Sequence, residues 1–487
     1  MKKTGDNAVS RRMFLGVCGG LALGASVESA GASPSFRAGA TIRDITPEPG
    51  VSLAGHMRDR SATHVHDPLH VRCLVLDDGT TQLAFVTVDS CMVPRAIFDA
   101  AKARIHDATG IPQANMMMAA THTHSAPSAV SIFQSDPVPG YDVVLIKAIV
   151  DGVCEAYREL APAQIGWGVG AVPDEVFNRR WFMKPGSIPA NPFGETTDQV
   201  RMNPPRASED LIEPAGPTDP KVPFIAVRRS DGTPLAVMAN YALHYVGGTD
   251  GAAMSADYFG CFSRALTERF DADIEEAPFV AMLTNGASAD INNINFREPG
   301  ASYAPYEKMN AVAAKVAEAV HDVYQSVSFH DTTALAAVNS DITLGARLPS
   351  AEEITRAQAI VDAAESDVMQ SLEEIYARET LLLREYPEEV SVPLQALRIG
   401  DVAIAAIPCE VFVEIGLHLK AESPFPQTFP VALANGYNGY LPTEAQHALG
   451  GYETWRARSS YLEPRAADKI QAKLMDMLRG LPSDTVG

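Results

Sequence analysis

The chain is short of basic residues. Its 487 residues hold 39 Lys and Arg against 60 Asp and Glu, a formal charge of −21. A surface this acidic repels polyanions, so nucleic acid is excluded as a ready partner. Cysteine is scarce as well. Beyond Cys18 there are Cys73, Cys91, Cys154, Cys261 and Cys409, with no CxxC pair and mostly apolar neighbours. Scattered thiols of this kind make a poor disulfide framework and read as buried, reduced side chains. Past the N-terminus no apolar run is long enough to cross a bilayer, so no stable membrane insertion is expected. Internal repeats, low-complexity tracts and Pro/Gly/Ser linkers are missing too, which leaves residues 33–487 as one domain.

The N-terminus itself reads as targeting. Arg11 and Arg12 precede Phe14, Leu15 and a short Gly/Ala-rich apolar run, and Ala30-Gly31-Ala32 offers a cleavage site before Ser33. Residues 1–32 are therefore expected to be a twin-arginine signal, with the export machinery as a partner and the periplasm or exterior as destination. A chain exported folded matures first in a reducing cytosol, which suits free thiols and permits metal loading before export.

Strand-like and helical runs alternate along the rest, which predicts an α/β or α+β class with a mixed sheet flanked by helices. VRCLVLDD and TQLAFVTVDS read as strands paired around DDGTT. RAIFDAAKARIHDATG reads as a helix stopped by Gly110, and ANMMMAAT as a short buried strand. Residues 176–222 read as a long functional loop, and the stretch from Ser350 to Leu383 as one long amphipathic helix.

Polar residues gather where these strands end. His122 and His124 follow the strand Met116–Thr121, and residues two apart on extended chain share a face. His244 follows Leu235–Ala242, Asn285 and Asp290 follow Phe279–Thr284, and Glu410 follows Val402–Ile407 at the start of a helix. Sites in α/β sheets assemble along that edge. Dispersed imidazole and carboxylate ligands with an open position are the pattern of catalytic zinc. With 12 histidines in the chain, the spacing of His122 and His124 alone leaves metal binding and a structural role both open.

Motifs in order along the chain add a resemblance. RAGATIRDITPEPGVSLAGH, HDPLHVRCLVL, THTHSAPS, FNRR, TNGASADINN, IPCEVFVEIG and NGYNGYLPTEAQHALGGYE together resemble the neutral/alkaline ceramidase family, from about Phe36 to Leu481. The resemblance implies a ceramidase-like catalytic domain that binds Zn²⁺ through His122, His244, Glu410 and Tyr440. It puts His124 beside the metal, makes Asn178 and Arg179 pocket residues, and lets Tyr440 stabilise a developing oxyanion. It departs at Ala289-Asp290-Ile291-Asn292-Asn293-Ile294, where the family reads G-D-x-S-P-N. Asn292 thus stands in the place of the catalytic serine, where its amide has no hydroxyl to offer but can hydrogen-bond a substrate; Asp290 keeps the acid of the motif. The end of the chain soon after Tyr440 leads to the expectation of no extra C-terminal β domain.

The function implied is a zinc-dependent amidohydrolase acting on a small-molecule amide, or an ester, through metal-bound hydroxide. The alternatives are a zinc enzyme acting on a glycan or lactone, and a metal-dependent binding protein without turnover.

Overall fold

Eight strands build the main sheet of the computed structural model, which describes residues 36–270 and 279–482. They are β1 (Arg37–Asp44), β2 (His70–Asp77), β3 (Gln82–Val88), β4 (Met116–Ala120), β5 (Ala161–Ala171), β6 (Lys221–Arg229), β7 (Pro234–Tyr241) and β8 (Val280–Asn285). Their order is β8-β7-β6-β5-β1-β2-β3-β4. Most neighbours are antiparallel, but the outer pairs β7/β8 and β3/β4 are parallel. A second sheet runs β9 (Leu335–Gly345), β10 (Glu389–Ile399), β11 (Val402–Ala406), β12 (Gln427–Val431), again ending in a parallel pair. The mixed α/β class expected from the alternation is the one observed. The twin-arginine segment lies outside the described residues.

The two sheets pack face to face. Leu74 and Leu76 of β2 and Phe85 of β3 meet Ile404 of β11 and Phe429 of β12 in one buried cluster. The alternate residues Val71, Cys73 and Val75 point the other way, into a cluster shared with α1 (Arg95–Thr109) and α2 (Tyr141–Arg158), as the period of two requires. Gly152 lets α2 sit close: a Cβ there would lie 2.7 Å from Cys73 Sγ, and its carbonyl accepts from Thr41 Oγ1 at 2.9 Å. Phe259 and Phe262 of α3 (Asp257–Arg269) and Val312 and Val316 of α4 (Glu307–Tyr324) cover the other half of the large sheet.

β4 lies at the edge of the large sheet, yet all five of its residues, Met-Met-Met-Ala-Ala, are buried. The segment after β12 covers that edge: Asn435 N donates to Met118 O at 2.7 Å, and Ala120 N to Leu433 O at 3.2 Å. The same segment reaches the opposite edge, where Ala432 N donates to Asn285 O at 2.9 Å. Asn285 Nδ2 then donates to Thr121 O at 3.3 Å. The two outer strands of one sheet therefore finish side by side, with the ends of β7 and β11 alongside them.

Three expectations are corrected. The helix from Ser350 to Leu383 is two, α5 (Ala351–Asp362) and α6 (Leu372–Leu383). Ser371 opens the second, its hydroxyl accepting from Glu374 N while Glu374 caps in return; this Ser-x-x-Glu box was in the sequence, inside an amphipathic pattern that masked it. The loop 176–222 contains a small sheet of Arg180–Met183 between Val200–Met202 and Leu211–Pro214. Glu410 precedes its helix, α7 (Val413–Glu422); it sits in a two-residue strand paired with Tyr440.

Candidate metal centre

His122 leaves β4 with φ of 80°, left-handed backbone that a non-glycine residue avoids without a strong anchor. Two hydrogen bonds anchor it. His122 N donates to Ser90 O at 2.9 Å, and its Nδ1 to Cys91 O at 2.7 Å. His244 leaves β7 and directs Nδ1 at Ser288 O, 3.2 Å away. With Nδ1 as the donor on both rings, each Nε2 presents only a lone pair. Those two nitrogens face each other at 3.0 Å. Glu410 joins them, its Oε2 at 3.3 Å from His122 Nε2 and 3.9 Å from His244 Nε2. That oxygen is buried and receives no hydrogen bond among the described residues, while Oε1 accepts from Tyr437 at 3.0 Å.

Three acceptors converging without a donor demand a positive charge between them. Burial opposes a charge on His122, yet Cys91 and Glu410 outweigh it and push its pKa well up. His244 is pushed well down, by burial first and then by Arg179. A proton can satisfy one pair of these groups, whereas a divalent cation satisfies all three. The donor set of two imidazoles held by carbonyls and one carboxylate suits zinc. Cys91, His122 and His124 form a second, overlapping group of metal-competent atoms.

His124 stands at the side of the cluster, its Nε2 at 3.3 Å from His122 Nε2 and its ring stacked on Tyr245 at 3.7 Å. Burial, then His122, keeps it neutral. Gly55 makes room for it: with φ of 96°, a Cβ there would fall 2.4 Å from the ring.

Tyr440 pairs with Glu410 through their backbones, and its hydroxyl accepts from Arg179 Nη2 at 3.2 Å. Burial, then Glu410, hold that hydroxyl well above its usual pKa, so it stays protonated. Arg179 is fixed by Glu453, Nε to Oε1 at 2.8 Å, and Arg180 takes the other oxygen at 2.7 Å.

The motif after β8 is placed differently. Asp290 is fully buried, with Oδ1 accepting from Val413 N at 2.9 Å and Oδ2 from Asn178 Nδ2 at 2.8 Å. It caps α7 and braces Asn178; no contact joins its carboxylate to the imidazoles among the described residues. Burial raises its pKa to about 6. Asn292 lies beyond it, half-buried, its Nδ2 bonded to Asn203 Oδ1 at 2.8 Å and its Oδ1 accepting from Asn293 N. The structure thus gathers His122, His124, His244 and Glu410, ties Tyr440 to them through Glu410 and Arg179, and sets Asp290 and Asn292 in the supporting loop.

Sequence reasoning missed Tyr245, Tyr437 and Glu453. The neighbouring Arg179 and Arg180 carried the one available signal, since two buried guanidiniums need an acid, but nothing in the spacing pointed 273 residues ahead to Glu453.

Residues 36–298 match the family described as neutral/alkaline non-lysosomal ceramidase, N-terminal. Neutral ceramidase B of Dictyostelium discoideum is 24% identical over 232 residues, 45% of this chain and 29% of that protein. The chain thus spans less than a third of that curated relative. Two solved structures are similar in fold. One, a ceramidase complexed with C2, has a TM-score of 0.70 at 17% identity, covering 93% of this chain and 77% of the other. The neutral ceramidase of Pseudomonas aeruginosa has a TM-score of 0.69 at 19% identity, covering 94% and 76%.

Proposed function

The chain belongs to the neutral/alkaline non-lysosomal ceramidase family, and from that premise we propose a zinc-dependent hydrolase of amide bonds. The observation that carries the reading is the convergence of His122 Nε2, His244 Nε2 and the unpartnered Glu410 Oε2. A bound zinc would supply Lewis acidity and an acidified water near neutral pH. His122, His244 and Glu410 would hold it, with Tyr440 completing the set.

The remaining steps belong to the chain's own groups. The hydroxyl of Tyr440, kept protonated, donates to the oxygen on which charge develops. Arg179 behind it adds a fixed positive charge, held in place by Glu453. His124, neutral and braced by Tyr245, accepts a proton at Nε2 and returns it to the leaving amine. The carbonyls of Cys91 and Ser288 fix the two ligand rings. Asn292 has no hydroxyl and takes no nucleophilic part; it closes the loop against Asn203.

We extend the proposal to the substrate and the route. Small polar N-acyl amides are preferred over ceramide because Asn292 replaces the serine, and the protein reaches its compartment through the twin-arginine machinery. No helix of the described residues is long and apolar enough to cross a membrane. Elemental analysis of the purified protein, with turnover measured on short N-acyl amides, the matching esters and ceramide, tests the function. Active protein free of transition metal defeats it, as does a metalloprotein that turns over esters and no amide. A reporter fused behind residues 1–32, exported only in cells with an intact twin-arginine system, tests the route.

A further inference from the structure

Helix α3 opens on a strained residue. Asp257 is 1% exposed and has φ of 55°, left-handed backbone that a non-glycine residue avoids unless its surroundings impose it. No basic side chain bonds its carboxylate among the described residues; backbone amides do. Oδ1 accepts from Val246 N at 3.0 Å and from Tyr258 N at 2.6 Å, and Oδ2 accepts from Gly247 N at 2.8 Å. A buried carboxylate without a counter-charge is a costly way to begin a helix. Ordinary caps were available: Ser350 and Ser371 open α5 and α6 through their hydroxyls on extended backbone.

What Asp257 holds is the chain leaving β7. Val246 and Gly247 directly follow His244 and Tyr245. On the other side of that pair, the buried Tyr258 donates its hydroxyl to Leu243 O at 2.9 Å. Two consecutive side chains, those of residues 257 and 258, thus bracket His244 and Tyr245. Ser255 does the same for the other histidine segment. Its carbonyl accepts from Thr123 Oγ1 at 2.7 Å, and its N–H donates to Ser125 O at 2.9 Å, one bond on each side of His124. Asp67 fixes the turn, accepting from Ala256 N at 3.0 Å and from Ser255 Oγ at 2.5 Å. Residues 255–258 therefore set two other segments against each other. Where those segments meet, the Tyr245 ring stacks on His124, with centroids 3.7 Å and planes 14° apart.

We propose that Asp257 is a positioning residue for proton transfer: through Val246 and Gly247 it holds Tyr245 flat against His124, and so fixes where His124 Nε2 stands. The inference rests on the hydrolase reading, in which His124 moves the proton. The Asp257 carboxylate bonds only backbone amides and acts through Tyr245. A stacked ring orients its neighbour only while its own backbone is held. Beyond Tyr245 the chain runs into Gly247 and Gly248, with φ of 69° and 82°, and has little stiffness of its own. Proton transfer depends steeply on placement, and a shift of about 1 Å is worth about a hundredfold in rate. The strain held at Asp257 is thereby coupled to order at the group that reacts.

The test is Asp257→Asn in the full metal-loaded protein, crossed with Tyr245→Ala. Asparagine tolerates left-handed backbone and keeps one acceptor oxygen, but it turns an amide NH₂ against Gly247 N. On a short N-acyl amide, kcat is expected to fall about tenfold, with KM within about twofold and metal content unchanged. With Tyr245→Ala already present, Asp257→Asn should change kcat by less than about twofold, because the stack it serves is gone. Losses that multiply overturn the route through Tyr245, as does a kcat that Asp257→Asn leaves unchanged. Loss of metal in step with kcat moves the effect to His244 and overturns it too. Asp257→Gly, which suits the backbone better than aspartate, keeps the test open if the asparagine variant fails to fold. The stack is also read without turnover, from the His124 Cε1–H proton resonance in histidine-labelled, metal-free protein, assigned by its loss in His124→Ala. The ring current of Tyr245 displaces this signal, and Asp257→Asn should carry it toward its position in Tyr245→Ala. A signal that stays in place overturns the clamp. A wild type that turns over no amide defeats the hydrolase reading, and the resonance then decides the clamp by itself.

Discussion

Two buried polar clusters sit almost back to back in this protein. In one, Arg179 and Arg180 hold the two oxygens of Glu453, and Arg180 also bonds Gln446 and the carbonyl of Gly450. Each oxygen of Glu453 has its donor, and the acid stays below its usual pKa because, against the pull of burial, the two guanidiniums outweigh it. In the other, His122, on left-handed backbone, His244 and Glu410 present lone pairs to one another. The first is finished by the chain alone. The second is finished only by something the chain does not encode, which is how a structural network and a binding site differ. Tyr440 joins them, with Glu410 on one side and Arg179 on the other.

Removing a member from each side separates the two kinds. The largest effect is expected at the metal cluster. His122→Ala or His244→Ala should bring metal content and activity to background together, since each deletes one of few ligands. The fold should persist, because an imidazole removed from a group of acceptors strands no donor. Elemental analysis and circular dichroism check this; a His122→Ala protein that keeps its metal breaks the comparison.

Glu453→Gln strikes the finished network. It leaves two buried guanidiniums short of an anion, and a loss of about 3–5 kcal/mol of stability is expected. The sign of its pH dependence follows from the depressed pKa. The ion pair's contribution is complete above the ordinary glutamate range and is lost as pH falls through the lower, folded value. The melting-temperature gap between wild type and variant should therefore be widest near neutrality and shrink on acidification. A gap that widens in acid contradicts the assignment.

His124→Ala sharpens the boundary of the cluster. It should keep most of the metal and lower kcat by about a hundredfold, the scale of a lost proton-transfer group. Loss of metal equal to that in His122→Ala would make His124 a ligand, consistent with its place in the overlapping Cys91, His122 and His124 group.

How much of this could be read beforehand depended on range. The strand ends carrying His122, His244 and Glu410 were legible because buried strands show as short apolar runs and because site residues follow them. Their convergence was expected from the shared sheet edge and the resemblance, but the means was not legible: the segment after β12 stitches Met118 on one edge to Asn285 on the other. The family resemblance supplied Tyr440 and Arg179, which no local pattern marks. Glu453 stayed hidden because an ion pair leaves no trace in the spacing of its partners. The break between α5 and α6 was legible in Ser371 and Glu374, but the helical period on both sides outweighed it.

The smallest effect belongs to Asn292, and it bears on substrate. If the loop after β8 were a damaged ceramidase motif, Asn292→Ser would return the missing hydroxyl and ceramide cleavage with it. The geometry argues otherwise. The Asn292 amide spans the loop, donating to Asn203 and accepting from Asn293 N, and serine is too short to do both. Asp290 beside it is committed to Val413 N and Asn178, so it is not free to activate a new hydroxyl. Asn292→Ser should therefore cost only about 1 kcal/mol of stability, the worth of an accessible hydrogen bond. It should lower turnover of the preferred short amide by loosening the loop, and leave ceramide cleavage at its wild-type level. Melting curves and parallel assays on both substrates decide the point. A gain in ceramide turnover would show that the loop had kept the geometry of a serine site, with Asn292 its one lost part.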